Sequence, residues 1–283
     1  MKCVVAEHSG FCHGVTYTIS TIDSLLRDKK EDVYSIGLPV HNPQVTQKLV
    51  DLGLHVVNGV DEIEKGTLVI RAHGLPPQIV HEAESHGLTI VNTTCGFVVK
   101  AQNIARSLYE EGYRVIIVGE AEHPEVQSIF GVTENTAMIC GSVDQIERIA
   151  DDTKVGVISQ TTFPESLYKE IIDQLQRKNF PAFKAHDTIC NSIARRCNKA
   201  KEVASAVDVM LVVGGKMSSN TRRLYEVCKK ANSGSYHIEI KDELLAEWFS
   251  GVESVGITAG ASTPQWVVDD IRMAVETGAW KNR

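Results

Sequence analysis

The chain alternates short β-branched apolar runs with longer stretches of helical spacing. One set of runs reads DVYSIG, LHVVNG, TLVIRAH and LTIVNTTC, and a second reads RVIIVGE, AMICG, KVGVISQ and AFKAHDTIC. The third, VMLVVGG, SYHIEI and SVGITAG, lacks a fourth member, which the N-terminal run KCVVA can supply. In each set the second run is followed by a similar acidic helix start, VDEI, VDQI or KDEL, which supports this alignment of repeats. Between the runs, Val15, Ile19, Ile22 and Leu26 have helical spacing. So do Leu167, Ile171 and Leu175, which follow Pro164, a residue suited to a first helical turn. Strands alternating with helices imply mostly parallel sheets covered on both faces. The expected fold class is therefore α/β, built as three units: residues 13–95, 96–190 and 191–283, the last completed by residues 1–12.

Composition narrows this only a little. A chain of 283 residues with 43% apolar content can bury a substantial core. No apolar stretch is long enough to span a bilayer, and Lys2 followed by the short KCVVA run reads as a strand rather than a signal peptide, so no membrane partner and a cytoplasmic location are expected. Seven cysteines without a secretory signal point to reduced thiols or metal ligands. A net charge of −7 with no basic tract disfavours nucleic acid as a partner.

The chemistry lies at the ends of the runs. Cys12, Cys95 and Cys190 each close a run-and-loop segment and are each followed by a helical pattern. They are 83 and 95 residues apart, so they can meet only if the repeats surround a common centre. Three thiolates suit an iron–sulfur cluster, but zinc also accepts three protein ligands and a water. For Cys3, Cys140 and Cys228, which lie inside strand or helix patterns, the expectation is a small buried hydrophobe. Aligning the repeats also collects PVHNP (His41), EHPEV (His123, Glu125) and MSSNT (Ser218, Ser219, Asn220) after the first runs. RAHG (His73), SQTTF (Thr161) and AGAS (Ser262) follow the third runs. Ligands of parallel α/β sheets bind beyond the carboxyl ends of the strands, where all of these fall. As isolated residues, Ser218, Ser219 and Asn220 would be helix caps and Glu125 an acid favoured by a helix dipole.

The segments GFCHGV, VHNP, AHG, TTC, HPEV, SQTT, DTIC, SSNT and GAS occur in the order found in the LytB-type iron–sulfur reductases, the 4-hydroxy-3-methylbut-2-enyl diphosphate reductase family, and the chain resembles that family over nearly its whole length. The resemblance implies a trefoil of three pseudo-symmetric α/β units around a [4Fe-4S] cluster. Cys12, Cys95 and Cys190 would hold three irons and leave the fourth open to substrate. It also implies reductive dehydroxylation of an allylic alcohol diphosphate to isopentenyl and dimethylallyl diphosphate, the last step of the methylerythritol phosphate route to isoprenoids. His41, His73, Ser218, Ser219, Asn220 and Ser262 would hold the substrate, Glu125 would handle the proton, Thr161 would orient the hydroxyl, and His123 would stand nearby. No lysine or arginine is among them, so anion binding would rest on neutral donors, imidazolium charge and helix N-termini. With no GxGxxG segment after a strand, electrons are expected from ferredoxin or flavodoxin. A monomer or weak homodimer is expected.

Several positions depart from the family pattern. His13 follows Cys12 where a small residue is usual, Gly96 follows Cys95 where proline is common, and HPEVQS lacks the glycine of HPEVxG. Ile193 stands where a threonine is normal and Cys197 where glutamine is common. The alternatives are a divergent iron–sulfur reductase with another substrate, a zinc hydrolase or lyase, and a non-catalytic cluster sensor; a sensor has no need of Glu125, Thr161 and a set of anion donors.

Overall fold

The computed structural model describes residues 1–149 and 153–279; residues 150–152 and 280–283, which belong to the second and third expected units, lie outside the described residues. Every expected run forms a strand. The N-terminal run is β1 (Lys2–Val5). The first set gives β2 (Val33–Ile36), β3 (Leu54–Val57), β4 (Thr67–Ile70) and β5 (Thr89–Asn92). The second gives β6 (Arg114–Val118), β7 (Met138–Cys140), β8 (Val155–Ser159) and β9 (Phe183–Ala185); the third gives β10 (Val209–Val213), β11 (Ser235–Ile238) and β12 (Ser254–Ala259). Helices α1 (His13–Asp28), α2 (Pro43–Asp51), α3 (Pro77–Ser85), α4 (Gly96–Glu110), α5 (Pro124–Val132), α6 (Glu165–Gln176), α7 (Asn191–Ala204), α8 (Ser219–Ala231) and α9 (Gln265–Thr277) fill the intervals.

The strands make three four-stranded sheets, ordered β3-β2-β4-β5, β7-β6-β8-β9 and β11-β10-β12-β1. All their pairings are parallel. Each sheet thus runs second, first, third, fourth in repeat order. In the last sheet β1 pairs with β12, Lys2 against Ser254 through Val5 against Ile257, and takes the place of the missing fourth run. The chain divides into two compact units. One comprises Met1–Thr16, Val40–Leu49 and the described part of Asn191–Arg283; the other comprises Tyr17–Pro39 and Val50–Cys190.

The middle sheet shows why the runs read as continuous apolar segments rather than alternating ones. Successive side chains of a strand point to opposite faces. Ile116 and Val118 pack with Ile171 and Leu175 of α6 on one face, while Val115 and Ile117 pack with Ala105 of α4 and Ile129 of α5 on the other. Burying such side chains is worth roughly 1.5–3 kcal/mol each. One face of the sheet containing β1 is covered by Val268, Ile271 and Val275 of α9. The acidic segments VDEI, VDQI and KDEL begin short 3-10 turns, at Val60–Glu62, Val143–Arg148 and Lys241–Glu243, rather than α-helices. Pro164 is the cap residue one position before α6. Tight packing at the strand ends explains Gly260, where a Cβ would lie 2.0 Å from Oγ1 of Thr221.

Candidate active site

The repeat equivalence extends from strands to single hydrogen bonds. After β4, β8 and β12 the chain makes the same turn: the N–H groups of Gly74, Phe163 and Thr263 donate to the carbonyls of Arg71, Gln160 and Gly260 at 2.9, 3.0 and 3.0 Å. The second residue of each turn then accepts a cysteine N–H. Cys95 donates to Ala72 at 3.0 Å, Cys190 to Thr161 at 2.8 Å and Cys12 to Ala261 at 3.1 Å. Each cysteine directly precedes a helix, α4, α7 and α1 respectively. The three cysteines singled out in the sequence therefore occupy one equivalent position in the repeat, each half-buried, and none of the seven cysteines forms a disulfide. The other thiols differ. Cys140, Cys197 and Cys228 are buried, which raises the pKa of the first two and pushes that of Cys228 up to about 12, as expected of inert packing groups; Cys3, expected to be buried, is only half-buried in β1, though desolvation raises its pKa as well.

In the unit containing β6 and β8, Glu125 lies in the first turn of α5 and is only 2% exposed. It is not a solvated dipole partner. Its Oε1 accepts the N–H of Thr161 at 2.5 Å and its Oε2 accepts the Thr161 hydroxyl at 2.8 Å. Burial pushes this carboxyl up to about 7, against the downward pull of those two hydrogen bonds. His123 caps α5: its Nδ1 accepts the N–H of Glu125 at 3.2 Å, which leaves the ring's proton on Nε2. The His73 and His123 rings meet edge to face, with centroids 5.4 Å apart. The Ser128 hydroxyl lies within bonding distance of the carbonyls of His73 and Glu125, at 2.9 and 2.8 Å, and so ties the two loops together.

In the unit containing β10 and β12, Ser218 is the cap of α8, its Oγ accepting the N–H of Thr221 at 3.3 Å. The expected cap role is real, and the hydroxyl hydrogen still has a bond to give. Ser219 and Asn220 are buried in the following turn. Asn220 is 6% exposed, yet neither its Nδ2 nor its Oδ1 has a hydrogen-bond partner among the described residues. An unsatisfied buried amide costs about 1–3 kcal/mol, and it leaves donors and an acceptor available to a ligand. Ser262, also buried, donates to the carbonyl of His41 at 3.3 Å.

Three residues that the sequence reading passed over brace these loops. Arg71, the first residue of RAHG, sends Nη1 to the carbonyl of Leu38 at 2.7 Å, and Gln160 accepts the N–H of Glu120 at 2.9 Å at the equivalent turn position. No carboxylate pairs with Arg71 among the described residues, and burial lowers its pKa to about 10. Arg196, 2% exposed on α7, donates to the carbonyl of Ala259 at 2.7 Å. Arg71 lies two residues before His73 in a run-end loop, a position that in the sequence alone reads as a solvated cation.

Comparison with known proteins gives the arrangement a family. The family model described as LytB protein matches residues 3–276. The chain belongs to the LytB family. Among LytB relatives, the 4-hydroxy-3-methylbut-2-enyl diphosphate reductase of Geotalea uraniireducens is 40% identical, covering 98% of this chain and 97% of its own. The enzyme of the same name from Aquifex aeolicus is 36% identical over 96% and 95%. A solved structure of (E)-4-hydroxy-3-methyl-but-2-enyl diphosphate reductase, described as the terminal enzyme of the non-mevalonate pathway, superposes with a TM-score of 0.74. It is 36% identical and is matched over 98% of this chain and 100% of that one. The Plasmodium falciparum reductase structure, 24% identical, shares the fold with a TM-score of 0.89 over 98% of this chain and 87% of its own. LytB proteins are iron–sulfur proteins. Among the described residues, no helix is long and apolar enough to cross a membrane. Of the departures from the LytB pattern, Ile193 and Cys197 are buried on α7, whereas His13 and Gly96 are exposed first residues of α1 and α4.

Proposed function

We propose that this chain is a reductase that removes the hydroxyl of 4-hydroxy-3-methylbut-2-enyl diphosphate as water and yields isopentenyl and dimethylallyl diphosphate. The reaction consumes two electrons and two protons as a C–O bond breaks and a C–H bond forms. The observation that carries this reading is the Glu125–Thr161 pair. Hydroxide is a poor leaving group, and a carboxyl whose pKa burial lifts to about 7 keeps a proton to deliver near neutral pH. Thr161 fixes the direction of that carboxyl by gripping both oxygens. A hydroxyl and an imidazole Nε2–H, from Thr161 and His123, then orient the oxygen that leaves.

The residues fit a cluster. Cys12, Cys95 and Cys190 are reduced thiols at equivalent loop positions, each with its N–H anchored on a turn carbonyl so that Sγ has a defined origin. Thiolate is the ligand type such clusters use. We assign these three as ligands of a [4Fe-4S] cluster with one iron open; when bound, it supplies the electrons and a Lewis acid for the departing oxygen. The diphosphate falls to His41, His73, Ser218, Ser219, Asn220 and Ser262. The unsatisfied amide of Asn220 supports this, and the N-terminus of α8 adds backbone donors. The three sheets correspond to units 13–95, 96–190 and 191–283 with 1–12. The protein acts in the cytoplasm as a monomer or weak homodimer, supplied by ferredoxin or flavodoxin.

The test is anaerobic turnover of 4-hydroxy-3-methylbut-2-enyl diphosphate with a chemical reductant, alongside iron and sulfide analysis. Serine in place of Cys12, Cys95 or Cys190 should strip cluster and turnover together, since a hydroxyl is a poor substitute for thiolate. Serine in place of Cys140 or Cys228 should spare both. A stoichiometric zinc site without sulfide would overturn the assignment.

A further inference from the structure

The reaction needs two electrons, so there must be a surface where they enter. In the unit Tyr17–Pro39 with Val50–Cys190, an open groove of about 660 Å³ runs between α4 and the short edge strand β9, lined by Gly96, Val99, Lys100, Asn103, Lys184 and His186 among others. Beside it, the first turn of α4 exposes Phe97, 43% accessible, and Val99, 36% accessible, although large apolar side chains there gain nothing from solvent. Lys100 is exposed and has no charged partner among the described residues. Lys184 rests over the Tyr113 ring and pairs with Glu111 at 2.5 Å.

Two things make this face more than an apolar patch. The first is its address. Gly96 follows Cys95 directly, and His186 is four residues from Cys190, so both ends of the groove lead by the backbone to proposed cluster ligands. The second is its charge. The chain as a whole carries −7, but the groove is lined by two lysines against one glutamate. An acidic partner is repelled by the molecule at large and steered only where the local sign is reversed.

We propose that the α4–β9 face is the docking surface for a small acidic one-electron carrier protein, with Phe97 and Val99 as the apolar centre and Lys100 and Lys184 on the rim. Two successive encounters, each oxidising one carrier by one electron, supply the pair that the dehydroxylation consumes. A brief, salt-sensitive contact suits this turnover, because a carrier that must leave after each electron needs a small interface. The inference rests on the reading of the chain as a cluster reductase.

The experiment uses the anaerobically reconstituted full chain and a bacterial flavodoxin. Calorimetry follows binding of the oxidised flavodoxin, stopped-flow absorbance follows cluster bleaching by its reduced form without substrate, and turnover is measured with either reduced flavodoxin or reduced methyl viologen. Lys100→Glu should weaken binding and raise the KM for flavodoxin by about tenfold or more, while leaving methyl viologen turnover within about twofold. Phe97→Ala should weaken binding while keeping its salt dependence. Unchanged flavodoxin binding and KM in a protein carrying both Phe97→Ala and Lys100→Glu would overturn the proposal, as would a parallel loss with both electron sources. Self-association abolished by Lys100→Glu with flavodoxin binding intact would show a second copy of the chain to be the occupant, also against it. Wild-type protein that binds flavodoxin and is bleached by it, yet leaves the allylic diphosphate unreacted, would sink the assigned reaction and not the docking face.

Discussion

Thr161 holds both oxygens of the Glu125 carboxyl, its N–H on Oε1 and its hydroxyl on Oε2, while its own carbonyl accepts the N–H of Cys190. One residue thus fixes the proposed proton donor and one proposed cluster ligand. Thr161→Val keeps the branched shape but strips the bond to Oε2, a loss of about 1–3 kcal/mol for a buried polar group. Turnover should fall at least about tenfold while iron content holds, because the backbone contact to Cys190 survives. Thr161→Ser restores the hydroxyl and should recover most of the rate. Equal activity of the valine and serine variants would remove the hydroxyl from the mechanism.

Glu125 also ties stability to pH. Its pKa in the folded chain, about 7, lies above the ordinary 4.5, so the native state holds this proton more tightly than the unfolded chain does. The resulting contribution is fully present below about pH 4.5 and is lost as pH rises through about 7, a swing on the order of 3 kcal/mol. Glu125→Gln has no charge to desolvate and should lose less stability than wild type between about pH 5 and pH 8, measured by urea unfolding under anaerobic conditions. Its turnover should be lower by about a hundredfold below about pH 7, with the gap narrowing above that as the wild-type carboxyl loses its proton. Identical pH slopes for the two proteins would rule out the raised carboxyl.

How far the sequence discloses this depends on the scale of the feature. The strands are legible because fully buried parallel strands must be apolar on both faces, as Val115 to Val118 show, and that composition survives without any partner being known. The cysteines are legible through the repeat, since DTIC and TTC close equivalent runs. The Glu125–Thr161 grip spans 36 residues and has no local signature; only the alignment of repeats brings HPEV and SQTT near one another. Arg71 escapes for the opposite reason. An arginine beside a loop histidine reads as a solvated cation, and only the fold shows it half-buried, with its guanidinium on the Leu38 carbonyl.

Asn220 should separate binding from folding. Its amide is buried and unsatisfied, so Asn220→Ala removes a polar group that costs the free protein about 1–3 kcal/mol, set against the small void it leaves. The thermal midpoint should hold or rise, while KM for the allylic diphosphate increases about tenfold or more. A variant that unfolds earlier yet binds substrate normally would make Asn220 a structural residue.

Gly96 is the departure that the structure makes dispensable. Cys95 has φ −58° and ψ 135°, the region a residue before proline adopts, and a Cβ at Gly96 would meet nothing within 4 Å. As the first residue of α4, Gly96 suits a proline, which needs no N–H there. Gly96→Pro should therefore stabilise the protein by about 0.5–1 kcal/mol through the unfolded chain, with cluster content unchanged. Loss of stability or of iron would mean that the Gly96 N–H has a partner in the loaded protein.

Ile193 bears on the substrate itself. It is buried on α7, three residues beyond Cys190, where the family places a threonine, and it fills a similar branched volume without a hydroxyl. If the substrate is the allylic diphosphate, the absent hydrogen bond is worth only about 0.5–1.5 kcal/mol, and Ile193→Thr should raise or barely change turnover. The same substitution removes buried apolar surface and adds a polar group, so it should lower stability by about 1–2 kcal/mol. A relative with a different substrate would instead use Ile193 to shape its pocket, and neither form would reduce the diphosphate at a useful rate. Complementation of a bacterial strain lacking its own reductase, run with wild type and Ile193→Thr side by side, distinguishes the cases. Growth with both supports the allylic diphosphate; failure of both with clusters fully loaded would refute it.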